Sequence, residues 1–255
     1  MQRRPALGAP YGWRARIGFM QSSSGIDNHP FEFYLMAPEG VQLVMVSLRP
    51  LDDPADISTL TVESLNESVG RIQAGVRELL KHAVDVIVQA GVPHITLQGW
   101  GFEKTLRAEV AKLTDLPFVM DTRACIEALQ ALQMSRIAFV SPFPDAMTEG
   151  VVEYMRHAGI EIVASRRVET ATFADMRRVP LAVPYQAAKA AYRSAAKAEG
   201  IWIAGAAMPS VAAIEPLEQD LGVPVISSKQ AMVWASLKAA QVAAPITGYG
   251  RLFEH

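Results

Sequence analysis

Short runs dense in Val, Ile, Ala and Phe recur along the chain, separated by longer stretches in which apolar residues return every three or four positions. The first pattern reads as a buried strand and the second as a helix with one apolar face. Their alternation marks βα units around a parallel sheet. Strands are expected near Arg16–Met20, Gln42–Ser47, Val84–Ala90, Pro117–Met120, Arg136–Ser141, Glu161–Ala164, Gly200–Ala204 and Pro224–Ser227. The pattern predicts helices over Val62–Ala83, Phe102–Leu113, Arg123–Gln133, Ala146–Ala158, Gln186–Glu199, Val211–Leu221 and Gln230–Ala240.

The punctuation between these segments repeats. Leu116-Pro117-Phe118-Val119 closes a helix and opens a strand, as Gly222-Val223-Pro224-Val225 does later. A strand runs into a glycine at Val86-Ile87-Val88-Gln89-Ala90-Gly91 and again at Ile201-Trp202-Ile203-Ala204-Gly205. The fold class is therefore α/β, with two pseudo-symmetric lobes, each a four-stranded, mainly parallel sheet flanked by helices. The expected divisions are an arm at 1–14, lobes at 15–122 and 123–228, and a final helix and tail at 229–255 that packs back on the first lobe. Ligands of open α/β sheets bind at the carboxyl ends of strands, so two facing lobes aim those ends into one cleft.

Composition narrows the partners. Half the residues are hydrophobic, a fifth are charged, and the formal net charge is −2 with the basic residues scattered, so neither nucleic acid nor an anionic membrane is indicated. The opening MQRRPALGAPYGWR has no apolar core of a secretory signal, and the apolar stretch Ile201–Ile214 is broken by Gly205 and Pro209. One cysteine, Cys125, fits a reducing compartment. A cytoplasmic protein is expected, and its aromatics and Pro- and Gly-rich ends suit a homo-oligomer.

Several stretches, in order, carry a resemblance: Arg16-Ile17-Gly18-Phe19, Ala37-Pro38-Glu39-Gly40-Val41, Val151-Val152-Glu153-Tyr154, Ala158-Gly159-Ile160-Glu161-Ile162, and Leu221-Gly222-Val223-Pro224-Val225-Ile226-Ser227-Ser228 with Gln230-Ala231. Together the span from Arg16 to Ala240 resembles the aspartate/glutamate racemase superfamily, in particular its arylmalonate decarboxylase, maleate isomerase and ectoine-utilisation branch. That resemblance implies a cofactor-independent enzyme with one or two cysteines facing across the cleft, a thiolate taking a proton from carbon and a thiol returning one. The positions implied for them hold Gly91 and Gly205. The asparagine that often follows the first strand aligns with Ser24, and the tyrosine after the fifth with Phe143.

Candidate ligand contacts follow from strand ends. Ser22, Ser23 and Ser24 can cradle a carboxylate with hydroxyls and backbone N–H groups, or form an ordinary polar loop. Gly91 and Val92 precede His94, an imidazole suited to proton transfer or simply turned to solvent. Thr122 is a candidate N-cap, and Arg123 either forks onto a carboxylate or lies on the helix surface. Cys125 reads as a small core residue or as a thiol activated at a helix N-terminus. Gly205 and Ala206 leave a roomy apolar wall. Ser228 is a candidate N-cap, and Lys229 is either solvated or catalytic. The histidines show no metal-ligand spacing, so no metal or cofactor is expected.

The functional reading is a cofactor-independent, decarboxylase-like lyase or isomerase acting on a small carboxylate or dicarboxylate without catalytic cysteines. His94 and Lys229 are its candidate proton carriers. The alternative is a non-catalytic carboxylate-binding or sensing protein, and a third reading moves the thiol chemistry to Cys125.

Overall fold

A computed structural model describes residues 11–21, 28–48, 62–170, 173–195 and 197–255. In the first half, β1 (Ala15–Gln21), β2 (Val41–Ser47), β3 (Val86–Gln89) and β4 (Phe118–Met120) lie in the order β2-β1-β3-β4. In the second, β5 (Arg136–Ser141), β6 (Glu161–Arg167), β7 (Gly200–Ile203) and β8 (Val225–Ser227) lie in the same order, β6-β5-β7-β8. Every pairing is parallel. The central strands are unbroken apolar runs because helices cover both faces: Val86, Ile87, Val88, Ile201 and Trp202 are all fully buried.

The helices are α1 (Asn28–Met36), α2 (Val62–Gly70), α3 (Ile72–Leu80), α4 (Val92–Thr96), α5 (Phe102–Ala111), α6 (Asp121–Ala131), α7 (Asp145–His157), α8 (Phe173–Arg177), α9 (Ala182–Ser194), α10 (Ile214–Leu221) and α11 (Ser228–Ala239). All eight strands fall where the apolar runs place them. The helix expected over 62–83 is instead two, α2 and α3, parted at Arg71. Three short helices, α1, α4 and α8, were not expected. In α1 the usual pattern is inverted: His29 and Glu32 turn inward with Phe33 and Met36, while Phe31, Tyr34 and Leu35 are exposed. No apolar stripe therefore announces it.

The duplication reaches individual hydrogen bonds. Ala90 N–H donates to the Met20 carbonyl at 3.0 Å, as Ala204 N–H does to Val140 at 2.7 Å. Leu48 N–H donates to Gln21 at 2.8 Å, as Val168 N–H does to Ser141 at 2.9 Å. The seam between the halves is made by α6 and α11, which pack on each other. α11 is buried at every residue from Ser228 to Leu237 and also touches α1, β3, β4 and β8. Each lobe thus begins the helix that completes the other, and the expected boundary at 122/123 falls inside α6.

Close packing at the start of β7 gives a test. A Cβ on Gly200 would lie 2.5 Å from the Pro224 carbonyl oxygen and overlap the Met134 side chain. Because one obstacle is neighbouring backbone, Gly200→Ala is expected to lower the unfolding free energy by about 1–3 kcal/mol, measured by denaturant titration.

Candidate active site

The carboxyl ends of the two sheets face each other because the segments that leave them interlock. α4, which follows β3, packs on α7, which follows β5; Gly150 of α7 makes room, since a Cβ there would lie 2.8 Å from Leu97 Cδ2. On the other side α1, which follows β1, locks onto the segment after β7. Asn28 Nδ2 donates to the Ala207 carbonyl at 2.8 Å and to that of Arg177 at 2.9 Å. Gly91 and Gly205 occupy equivalent strand ends, with φ of +116° and +113°. Such backbone excludes ordinary side chains, which accounts for glycine at both places. At Gly205 a Cβ would also lie 2.8 Å from Pro142 Cδ.

A buried carboxylate organises the first strand end. Asp121, at the start of α6, accepts from the Gly91 N–H at 3.0 Å and from Val92 N–H, and Cys125 Sγ lies 3.5 Å from its Oδ1. Burial raises its pKa to about 7, against the opposing pull of these donors. Cys125 also contacts Ser228 Oγ at 3.5 Å, and Ser228 accepts from Trp202 Nε1 at 3.1 Å. This polar chain runs through the seam between the lobes. Burial and the neighbouring Asp121 push the Cys125 thiol well above its usual range, so the core reading of Cys125 holds and its activation does not.

An ion pair organises the second strand end. Lys229 Nζ pairs with Glu32 Oε2 and donates to the Met208 carbonyl at 2.5 Å. Glu32 Oε1 accepts from Ser210 N–H at 2.9 Å and Val211 N–H at 3.2 Å. Lys229 is 1% exposed and Glu32 5%. Beside them sits His29, fully buried, its ring 4.3 Å from that of Phe19 and its pKa held well below normal by burial and by Lys229.

These positions revise several expectations. Ser22, Ser23 and Ser24 lie outside the described residues. Lys229 is not solvated, since it is buried and its ammonium is held by Glu32 and Met208. Thr122 is not an N-cap: Met120 holds that position in extended backbone, and Thr122 lies inside α6 with Oγ1 3.5 Å from the Val92 carbonyl. Ser227, not Ser228, caps α11, in a reciprocal box with Gln230. Arg123 turns to the helix surface, where its Nε meets Glu127 at 3.0 Å beside a groove of about 680 Å³ along the β4 edge. His94 is not in a loop but buried within α4, its backbone N–H donating to the Gly91 carbonyl at 3.2 Å. Val92 is buried, and Phe143 and Ala206 are half-buried. His29 was missed because α1 was; the sequence Asn28-His29-Pro30 so soon after strand β1 was the available signal.

Among the described residues no group of three His, Cys, Asp or Glu side chains could hold a metal ion, and no helix is long and apolar enough to cross a membrane. Two parallel α/β lobes of the same strand order, with glycines at paired strand ends, define a class of two-lobed α/β proteins. The chain belongs to the arylmalonate decarboxylase family, whose model matches residues 37–253. It is 25% identical to an arylmalonate decarboxylase of Bordetella bronchiseptica over 78% of this chain and 83% of that one. With a maleate isomerase of Pseudomonas putida it shares 31% identity over 69% of this chain and 72% of the relative. Among solved structures, a mutant arylmalonate decarboxylase in its liganded form superposes with a TM-score of 0.84 at 23% identity, covering 94% of this chain and 99% of that one. A maleate isomerase mutant from Pseudomonas putida with maleate gives 0.80 at 26%, covering 94% and 97%.

Two outcomes follow. The folded Asp121 keeps a proton that the unfolded chain releases, so between about pH 4 and 7 its burial lowers stability as pH rises, with no further change above 7. Asp121→Asn removes this dependence. The stability difference between variant and parent should therefore shift in the variant's favour across that window by up to ~4 kcal/mol, read from denaturant midpoints; a difference independent of pH would contradict it. Glu32→Ala strands the Lys229 charge and should cost about 3–5 kcal/mol, whereas Glu32→Leu with Lys229→Met restores most of that loss.

Proposed function

We propose that this protein is a cofactor-independent lyase or isomerase, decarboxylase-like in its chemistry, that acts on a small carboxylate or dicarboxylate without a catalytic cysteine. Family membership supports the reaction class. The observation that carries the finer reading is the pairing of Gly91 and Gly205 at the facing strand ends while the chain's one cysteine is sealed in the seam.

Decarboxylation suits such a site better than thiol chemistry does. When a malonate-type dianion loses CO2, the bonding pair passes into an enediolate, which fixed N–H and hydroxyl donors stabilise and an acid then protonates at carbon. With Arg123 turned away, the carboxylates fall to backbone donors around Gly205 and Ala206 and to the hydroxyls of Ser22, Ser23 and Ser24. The expected roomy wall does not extend to Gly205, where Pro142 occupies the space a side chain would take, and half-buried Ala206 is the small residue left to meet an apolar substituent. Lys229 acts through the segment it holds. His94 stands at the first strand end as a candidate for proton transfer there.

Glycine at both strand ends also suits a protein that only binds its carboxylate, and one experiment separates the two. The protein is incubated, with chelator present, with phenylmalonate or maleate and followed by proton NMR. Turnover is expected, and Cys125→Ala should keep it within about twofold. A melting temperature raised by these dianions with no product formed would establish the binding protein instead. Self-association is part of the same reading, since Phe31, Tyr34 and Leu35 expose one apolar face of α1; a monomer by light scattering at micromolar concentration removes it.

A further inference from the structure

We propose that His29 is the group that hands a proton to the substrate carbon at the second strand end, taking the part that a thiol would play there. This rests on the functional reading above. Among the described residues neither Nδ1 nor Nε2 of this fully buried ring has a hydrogen-bond partner, and Ser210 Oγ, also buried, has none. Buried polar atoms are nearly always paired, so these orphans call for an occupant.

Their place is defined by the bonds around them. Asn28 and Glu32, one residue before His29 and three after it, fasten α1 to Ala207, Ser210 and Val211, the segment that begins at Gly205. His29 is therefore clamped where the first lobe meets the second strand end. Phe19 fixes the ring from β1. Among the described residues the charged groups nearby are Lys229 from α11 and Glu32 from its own helix, already paired with each other, and Ala207–Val211 contributes no ionisable side chain.

A neutral imidazole cannot readily supply a proton, but the substrate corrects this. A malonate-type dianion placed beside the ring favours its charged form, so binding draws one proton from solvent onto His29. Loss of CO2 leaves an enediolate that still carries two negative charges. Transfer of the imidazolium proton to carbon then gives the monoanionic acid and neutral His29, and charge and atoms balance without a cofactor.

The test uses the full chain and phenylmalonate. Calorimetry in buffers of different ionisation enthalpy at pH 7.5 should show uptake of about one proton on binding in the parent and none in His29→Gln. Formation of phenylacetate should fall about 100-fold or more in that variant. His29→Leu removes both orphan nitrogens, so it should fold with a melting temperature no lower than the parent while losing the same activity; a lower melting temperature with activity retained would mark a purely structural histidine. If the parent turns phenylmalonate over and His29→Gln matches it in rate and proton uptake, the His29 assignment falls and the functional reading stands. If the parent neither binds nor converts phenylmalonate or maleate, the functional reading falls and takes the assignment with it.

Discussion

The Glu32–Lys229 pair sets the distance between the two lobes at the second strand end. Burying both charges is unfavourable unless further hydrogen bonds compensate, and here the N–H groups of Ser210 and Val211 donate to Glu32 while the Met208 carbonyl accepts from Lys229. The consequence is geometric. Three segments from distant parts of the sequence, α1, the stretch after β7 and the first turn of α11, can assume only one mutual arrangement if this pair is to be satisfied. Asn28 repeats the constraint one turn earlier. The imidazole between these anchors is held where it is by bonds it does not itself make.

The two halves share a plan and diverge at their chemistry. Strand order, inter-strand bonds and positive-φ glycines are common to both. Where the fourth strand of each lobe passes into the seam helix, Ser227 at the N-cap of α11 and Asp121, the first residue of α6, solve different problems. Ser227 caps its own helix, while Asp121 reaches away from its helix to hold the Gly91 N–H. A serine suffices where the need is local. A carboxylate, with more lone pairs, can tie a strand end, a helix and the Cys125–Ser228–Trp202 chain together, at the expense of a buried charge that titrates near neutrality.

Much of this was legible in the sequence. The strands could be read because a parallel sheet covered on both faces demands continuous apolar runs, and the duplication because proline and glycine mark the same joints twice. Cys125 read correctly as core from its neighbours Ile126 and Leu129. What could not be read was polarity turned inward. α1 hides its imidazole and carboxylate and shows its aromatics, so its pattern points the wrong way, and Lys229 belongs to a buried pair whose partner lies almost the whole chain away. Arg123 was left open between a carboxylate fork and the helix surface, and it is at the surface that a glutamate one turn on, Glu127, pairs with it.

These details bear on why a thiol is absent from the second strand end. A side chain at position 205 would need backbone with φ near +113°, where L residues are strained, and would also have to displace Pro142. Pro142 follows β5, the strand that pairs with β7, so the proline closes over the very turn that a cysteine would occupy. Restoring sulfur by Gly205→Cys therefore asks for movement of two adjoining strand ends and not of one side chain. It is to the segment that begins at this turn that Asn28 and Glu32 tie α1, the helix that carries His29. Glycine at the strand end and imidazole on α1 are thus compatible parts of one arrangement, and in the mechanism we propose the proton carrier comes from the neighbouring lobe.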